Sequence, residues 1–196
     1  MNPVGSRNLL RAVVSLATLG LLTTPIFAHT GIDTHSGTFF SGFLHPLGGL
    51  DHLAAMISVG LWASVAGGPR LWVWPLAFVS AMIVGGILGF SGVALPAVEP
   101  IIAASVIVLG LAIASALNAP VWIGAAVVAV MGVFHGHAHG TEAPGGDWLL
   151  YALGFVAATA ALHASGIALA YLLRRELPVR LVGGATTALG IVLLVQ

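Results

Sequence analysis

Residues 71–90 read LWVWPLAFVSAMIVGGILGF, a stretch of twenty residues that contains no Asp, Glu, Lys or Arg. A helix needs about 20 predominantly apolar residues to cross the hydrocarbon core of a bilayer. An uncharged run of this length is typical of a transmembrane helix. We therefore predict that the chain is an integral membrane protein.

The composition of the whole chain supports the same prediction. Of the 196 residues, 59% are hydrophobic and 6% are charged, and the mean hydropathy is +1.08. Soluble domains have roughly a quarter of their residues charged, so this chain has too little polar surface to cover a soluble globule. The net charge is zero and lysine is absent, which argues against nucleic acid as a partner. The absence of cysteine excludes disulfides, iron–sulfur clusters and thiolate metal sites.

The N-terminus has the pattern of a secretory signal peptide. Arg7 and Arg11 precede an apolar run over residues 12–22, and Ala28 offers a small residue for cleavage. Ile26 stands where a small residue is preferred, so an uncleaved first helix is the alternative. We predict a signal peptide at residues 1–28 and a mature single domain at 29–196. The mature chain would begin at His29, whose imidazole beside a free α-amine could chelate a metal ion.

The mature chain contains six apolar stretches of spanning length. We predict an all-α integral membrane protein with six transmembrane helices after the signal peptide. Pro46, Pro100 and Pro120 are expected in first turns, where a missing N–H costs little, and Gly85 with Gly89 predicts close helix packing. The predicted spans are Pro46–Ala66, Leu71–Phe90, Pro100–Leu117, Pro120–Gly140, Trp148–Leu173 and Leu177–Val195.

Arginine positions predict the orientation. With the N-terminus outside, the arginines of the mature chain fall in inner loops, as the positive-inside rule requires; they are Arg70, Arg174, Arg175 and Arg180. Tryptophans 62, 72, 74 and 122 are then expected as belt residues at the inner interface. We predict a multi-pass protein of the bacterial inner (cytoplasmic) membrane, with the mature N-terminus and a His-rich loop in the periplasm.

Eight histidines against six acidic residues is an unusual excess for a membrane chain, and the first cluster of them is His45, Asp51 and His52. On a straight helix seven residues rise about 10 Å, whereas two nitrogens on one ion each lie about 2 Å from it. Either the chain bends near Pro46, Gly48 and Gly49, or the histidines are successive stations. We expect a bend or a helix start at Pro46.

The second cluster is His135, His139 and Glu142, which are related as i, i+4 and i+7 and so share one helix stripe. His137 faces away and is a weaker candidate. With a carboxylate in each cluster on the predicted outer side, both are expected to line a cation pathway. Each cluster also has a purely structural alternative. The second could be an accidental tag-like histidine tract, and Asp51 with His52 could be a buried packing pair.

His163 and Glu99 are two further candidate ligands. His163 is expected near mid-membrane, where it either ligates the ion or bonds a neighbouring carbonyl. Glu99 either belongs to the pathway or caps its helix beside Pro100.

At these clusters the sequence resembles the HupE/UreJ family, hydrogenase and urease accessory membrane proteins regarded as nickel, in some cases cobalt, permeases. The family pattern H-x5-D-H is met by His45, Asp51 and His52. The pattern F-H-G-x-A-H-G-x-E is met throughout residues 134–142, FHGHAHGTE. The resemblance extends over essentially the whole chain, and it implies that transport depends on the histidines and carboxylates of both motifs.

We therefore predict transport of a divalent transition metal, Ni²⁺ first, into the cytoplasm to supply hydrogenase or urease maturation. Capture at His29, His35 and Glu142 would precede transfer to the two clusters. Alternatives are a Co²⁺ or Zn²⁺ permease, or a membrane metal sensor or chaperone without transport. The ion is cargo and no permanent cofactor is expected; further partners would be the lipid bilayer, a second copy of the chain, or metallochaperones of hydrogenase or urease assembly.

An enzyme is not expected from the motifs. The sequence lacks the H-E-x-x-H motif of zincins, the G-x-S-x-G nucleophile elbow and a P-loop. Because a ligating imidazole must be neutral, uptake is expected to fall as external pH drops through about 6.

Overall fold

A computed structural model describes residues 38–144, 147–173 and 176–196 of the chain. Within these ranges the secondary structure is entirely α-helical. The helices are α1 (Phe39–Gly48), α2 (Leu50–Ala66), α3 (Arg70–Phe90), α4 (Val98–Ala114), α5 (Val121–Thr141), α6 (Trp148–Leu173) and α7 (Glu176–Leu194). The predicted signal peptide, His29, His35, Arg174 and Arg175 lie outside the described residues.

The first predicted span is broken into two helices. Thr38 starts α1 with a capping box, in which the Ser41 N–H donates to Thr38 Oγ1 (3.2 Å) and the Thr38 N–H donates to Ser41 Oγ (3.1 Å). Gly49 is extended (φ −106°, ψ 125°), and α2 leaves it at 90° to α1. The expected bend is confirmed. The expectation of Pro46 in a first turn is wrong, because the Thr38 cap starts the helix earlier and encloses Pro46 within α1.

Among the described residues, four helices (α3, α5, α6 and α7) are long and apolar enough to cross a membrane, and the bent α1–α2 pair makes five if it is one span. Helix α4, which corresponds to the predicted span Pro100–Leu117, has 17 residues and a length of about 26 Å. It is apolar but shorter than the roughly 20 residues that a spanning helix typically has. The architecture is that of a multi-pass helical membrane protein.

Glycines let α3 and α5 pack as a close parallel pair. A Cβ on Gly85 would collide with the Val133 carbonyl, and one on Gly89 with the His137 carbonyl. From the other side, Gly136 of α5 lies against the backbone of Met82. The predicted packing role of Gly85 and Gly89 is confirmed, and the glycines of the second histidine motif have the same role.

Helices α2 and α6 also run parallel, since Met56 contacts Thr159 and, one turn further along both helices, Gly60 lies against the backbone of His163. Helix α1 crosses the start of α6, where Gly42 meets the Tyr151 carbonyl. Helices α4 and α7 are antiparallel neighbours. The bundle therefore has a histidine end, where α2, α4 and α6 begin, and an opposite end, the tryptophan end.

Two buried indoles close the tryptophan end. The Trp62 and Trp74 rings are 4.2 Å apart, and their Nε1–H groups donate to the carbonyls of Leu117 and Val121, both at 2.9 Å. These two were expected in an interfacial belt, and that expectation is wrong because both rings are buried and their N–H groups bind backbone carbonyls between α4 and the first residue of α5. Trp72 and Trp122 are exposed, as belt residues are.

Two arginines lie at the same end. The Arg70 Nε–H donates to the Ala119 carbonyl (2.9 Å), and the Arg180 Nε–H donates to the Ala114 carbonyl (2.7 Å) at the C-terminus of α4. A cation there also complements the negative end of the helix dipole.

Candidate functional site

Three helices bring the two predicted histidine clusters together at the histidine end. His45 comes from α1, His52 from α2, and His135 and His139 from α5. The His139 ring centroid lies 4.9 Å from that of His45 and 4.6 Å from that of His52, and the His52 and His135 centroids are 4.9 Å apart. These four imidazoles with Asp51 and Glu142 are called the histidine cluster below.

The bend at Gly49 allows the first motif to join this cluster. On an unbroken helix His45 and His52 would stand about 10 Å apart along the axis. The 90° turn between α1 and α2 instead places both rings within 5 Å of His139. The seven-residue spacing between His45 and His52 therefore suits a bend between two helices better than one face of a straight helix.

Burial increases along the cluster. Glu142 is exposed just after α5, and His45 is half-buried with its Nε2 3.0 Å from Glu142 Oε2. His139 and His135 are completely buried, and His52 is 9% exposed. The row leads from an open carboxylate–imidazole pair to imidazoles inside the bundle.

Asp51 orients the ring of His52. Its Oδ1 accepts from the His52 backbone N–H (2.7 Å) and lies 2.8 Å from His52 Nδ1. Because a carboxylate accepts, Nδ1 carries the proton, and Nε2 keeps its lone pair. Nε2 is buried and has no hydrogen-bond partner in the described ranges. This is the carboxylate–histidine arrangement that orients metal ligands in other proteins.

Ser105 on α4 does the same for His135. Its only signal in the sequence is that it is a lone hydroxyl residue in an apolar helix. Ser105 Oγ donates to the Ile102 carbonyl (2.6 Å), so it accepts from His135 Nε2, 3.0 Å away. The proton of His135 is thereby placed on Nε2, and Nδ1 keeps a lone pair. Nδ1 is also buried without a partner among the residues described. His52 and His135 thus each offer one unprotonated nitrogen to the same interior.

His139 is the central ring of the cluster. Both of its ring nitrogens are buried without a hydrogen bond in the described part of the chain, and its ring stacks on Phe155 at 5.1 Å. Burying a polar group without a partner costs about 1–3 kcal/mol. Such a cost is typical of a binding site, since a ligand would remove it.

His137 does not belong to the cluster. Its Nε2 binds the Val93 carbonyl at 2.7 Å, so its predicted orientation away from His135 and His139 is confirmed. These three histidines lie inside α5 and are buried. The expectation of a His-rich loop is therefore wrong, because the helix continues to Thr141.

Glu99 and His163 lie outside the cluster. Glu99 is exposed in the first turn of α4 and makes no capping hydrogen bond, which argues against the capping alternative. His163 is 2% exposed, and neither ring nitrogen has a partner among the described residues, so the carbonyl-bond alternative is wrong. The Phe78 ring separates it from the cluster, with centroids 5.5 Å from His135 and 5.2 Å from His163.

The donors of the cluster form a row in which two pairs of side chains lie on either side of His139. Among residues 38–144, 147–173 and 176–196, no three His, Asp or Glu side chains form a group that could hold one metal ion. The paired donors form a row, Glu142 with His45, then His139, then His52 with His135. Such an arrangement can bind a cation weakly at several points.

Comparison with known proteins identifies a matching family and a similar protein. The sequence profile of the family described as "HupE / UreJ protein" matches residues 16–193. The chain is 43% identical over 182 residues to a protein named "Protein HupE" from Rhizobium leguminosarum bv. viciae, which covers 91% of this chain and 95% of that protein. No solved structure matches the chain.

Proposed function

Since the chain belongs to the HupE/UreJ family, we propose that it carries a divalent transition-metal ion, Ni²⁺ ahead of Co²⁺ or Zn²⁺, across a membrane through the histidine cluster. The observation that carries this proposal is the row of buried imidazoles with unpaired nitrogens inside an apolar bundle. Ionisable groups within a membrane are costly and are kept mainly where they line a pathway.

The donor set supports the choice of ion. Neutral imidazole nitrogens bind Ni²⁺, Co²⁺ and Zn²⁺, whereas Mg²⁺ and Ca²⁺ prefer shells made of oxygen. Because affinity order alone does not separate the first three, the preference for Ni²⁺ rests on the family resemblance.

Paired donors suit a path better than a permanent site. The ion would first meet Glu142 and His45, then exchange one imidazole at a time through His139 to His52 and His135. Partial ligation at each step keeps binding weak enough for release, which conduction requires. His29 would add a capture ligand at the mouth if the leader is removed after Ala28, and Glu99 would attract cations to the same end. The ion is cargo, and no resident cofactor belongs to this function.

The arginines support an orientation that suits the proposed inward transport. Arg70 and Arg180 lie at the tryptophan end, which we assign to the cytoplasm by the positive-inside rule. The histidine end then faces the periplasm, and six crossings of the bacterial inner membrane result if the α1–α2 pair and α4 each cross. Delivery to metallochaperones of hydrogenase or urease assembly, and assembly of several copies, are further parts of the proposal.

Radioactive nickel uptake into vesicles that contain the purified chain tests transport. We expect His139→Ala and His52→Ala to lower the initial rate at least about tenfold, the loss typical of disturbed metal ligation. His137→Ala is the matched control, because His137 is buried on the same helix but bonds the Val93 carbonyl. Its rate should stay within about twofold of wild type.

Two outcomes would contradict the proposal. Equal uptake in all three variants and wild type would remove the histidine cluster from the path. Nickel binding to the wild-type protein without any flux would favour a sensor or chaperone. Competition by Co²⁺, Zn²⁺ and Mn²⁺ in the same vesicles would rank the cargo ions.

A further inference from the structure

Two buried thioethers meet one hydroxyl beyond the histidine cluster. Thr159 Oγ1 on α6 lies 3.3 Å from Sδ of Met56 on α2 and 3.6 Å from Sδ of Met82 on α3. All three side chains are completely buried. Met56 lies one turn deeper than His52 on α2, so this group continues the row of donors away from the histidine end.

The hydroxyl does not need the sulfurs as hydrogen-bond acceptors. Thr159 has one proton, and its shortest acceptor is the Phe155 carbonyl at 2.8 Å. Both thioethers therefore keep lone pairs that no strong donor occupies. Methionine fills irregular core space elsewhere, but two sulfurs from different helices at one oxygen also form a soft donor group.

His163 stands one turn further along the same helix, about 6 Å beyond Thr159. It is 2% exposed, and both ring nitrogens lack partners among the described residues. An imidazole with no hydrogen bond inside a membrane bundle is costly. Phe78 covers it on the side of His135, so it belongs to a separate compartment of the path.

We propose that His163 with the thioethers of Met56 and Met82 forms a second, deeper binding station for the transported ion, which selects borderline transition metals against hard cations. This inference rests on the proposed function, since an ion must first pass the histidine cluster. The cluster presents nitrogen and carboxylate oxygen, whereas the deeper station presents nitrogen and sulfur. Hard ions such as Mn²⁺ prefer oxygen donors, whereas imidazole suits Ni²⁺ and thioethers are soft ligands.

Binding stoichiometry and selectivity test the deeper station. Equilibrium dialysis of the purified full chain in detergent with saturating radioactive nickel measures the number of bound ions. The wild-type chain should bind one ion more than the His163→Ala variant and one ion more than the Met56→Leu/Met82→Leu double variant. In vesicles both should lower the preference for Ni²⁺ over Mn²⁺ about tenfold, the effect of about 1.4 kcal/mol.

Matched controls separate this effect from damage to the fold. Met→Leu exchanges conserve volume and are usually well tolerated in cores. Met131→Leu is the control, because Met131 is also buried, at 7% exposed, on α5, whereas the two sulfurs at Thr159 belong to Met56 and Met82. It should leave both the stoichiometry and the selectivity unchanged.

X-ray absorption spectroscopy adds a direct readout. In nickel-loaded His139→Ala protein, where the histidine cluster is impaired, the remaining ion should show sulfur scattering. The same spectrum after adding Met56→Leu and Met82→Leu should lose it.

The outcomes also distinguish the two proposals. If His139→Ala lowers uptake but His163→Ala and the double methionine variant keep the wild-type number of bound ions and the wild-type selectivity, the deeper station is refuted and the transport proposal stands. If His139→Ala does not lower uptake, the proposal of transport through the histidine cluster is refuted. The deeper station is then refuted with it, because it requires an ion that has passed the cluster.

Discussion

Replacing Gly136 with alanine should separate the two helices that frame the histidine cluster. Gly136 lies between His135 and His137 on α5, and a Cβ there would collide with the backbone carbonyl of Met82 on α3. The obstacle is main chain, so no side-chain rotation can relieve it. The two helices must move apart along the length of their contact.

The size of the effect follows from this geometry. Overpacking of a well-packed interior typically costs about 1–3 kcal/mol of unfolding free energy. For a chain of this size that cost lowers Tm by about 2–12 °C. Moving α5 away from α3 also shifts His135 relative to Ser105 and His52, so nickel uptake should fall together with stability.

Gly184→Ala is the matched control for Gly136→Ala. Gly184 lies in the interior of α7, and a Cβ there would meet nothing within 4 Å. Alanine in place of glycine in an open helical position stabilises the helix by roughly 0.5–1 kcal/mol. The two identical substitutions should therefore shift Tm in opposite directions.

Thermal unfolding of both variants in detergent, followed by circular dichroism, measures this difference. Uptake in vesicles at a temperature well below both Tm values separates site distortion from unfolding. Equal Tm shifts in the two variants would refute the packing of α3 on α5 described above. A destabilised Gly136→Ala protein with wild-type uptake would refute the link between that packing and the site.

The remaining predictions concern acidity and the tryptophan end. Uptake should fall as external pH drops through about 6, because protonation removes the imidazole lone pair that binds the ion; initial rates between pH 5 and 8 measure this, and a flat profile would argue against histidine ligation. Trp62→Phe should lower Tm by about 1–6 °C, since the indole N–H loses its bond to the Leu117 carbonyl and such a bond contributes about 0.5–1.5 kcal/mol. Trp122→Phe, at an exposed indole, should change Tm little, and equal losses in the two would contradict the proposed closure of that end.

The sequence predicted most helices because apolar length is a local property. Predicted Leu71–Phe90 corresponds to Arg70–Phe90, and Trp148–Leu173 has identical bounds in the structure. The start of α1 was missed because Thr38 and Ser41 form a cap that precedes the apolar run. The predicted span Pro100–Leu117 corresponds to Val98–Ala114, which begins and ends earlier in the chain, because the apolar run continues past Ala114 whereas the helix ends there.

The site was predictable in its ligands and not in its surroundings. The i, i+4 and i+7 spacing placed His135, His139 and Glu142 on one stripe, and the glycines near Pro46 indicated a bend. Ser105 and Phe78 could not be predicted, because their roles depend on which helices become neighbours. Neighbouring helices here are often not consecutive, as the α3–α5 and α2–α6 pairs show, and periodicity along one chain carries no information about such pairing.

That pairing also bears on biosynthesis. The ribosome delivers His45, Asp51 and His52 early, but their counterparts on α5 emerge some 80 residues later, after α3 and α4 have been laid down. A nascent chain that stops before α5 therefore lacks His135, His139 and Glu142. If the histidine cluster is the proposed ion path, that path forms only near the end of translation, and unfinished copies have no continuous route for ions.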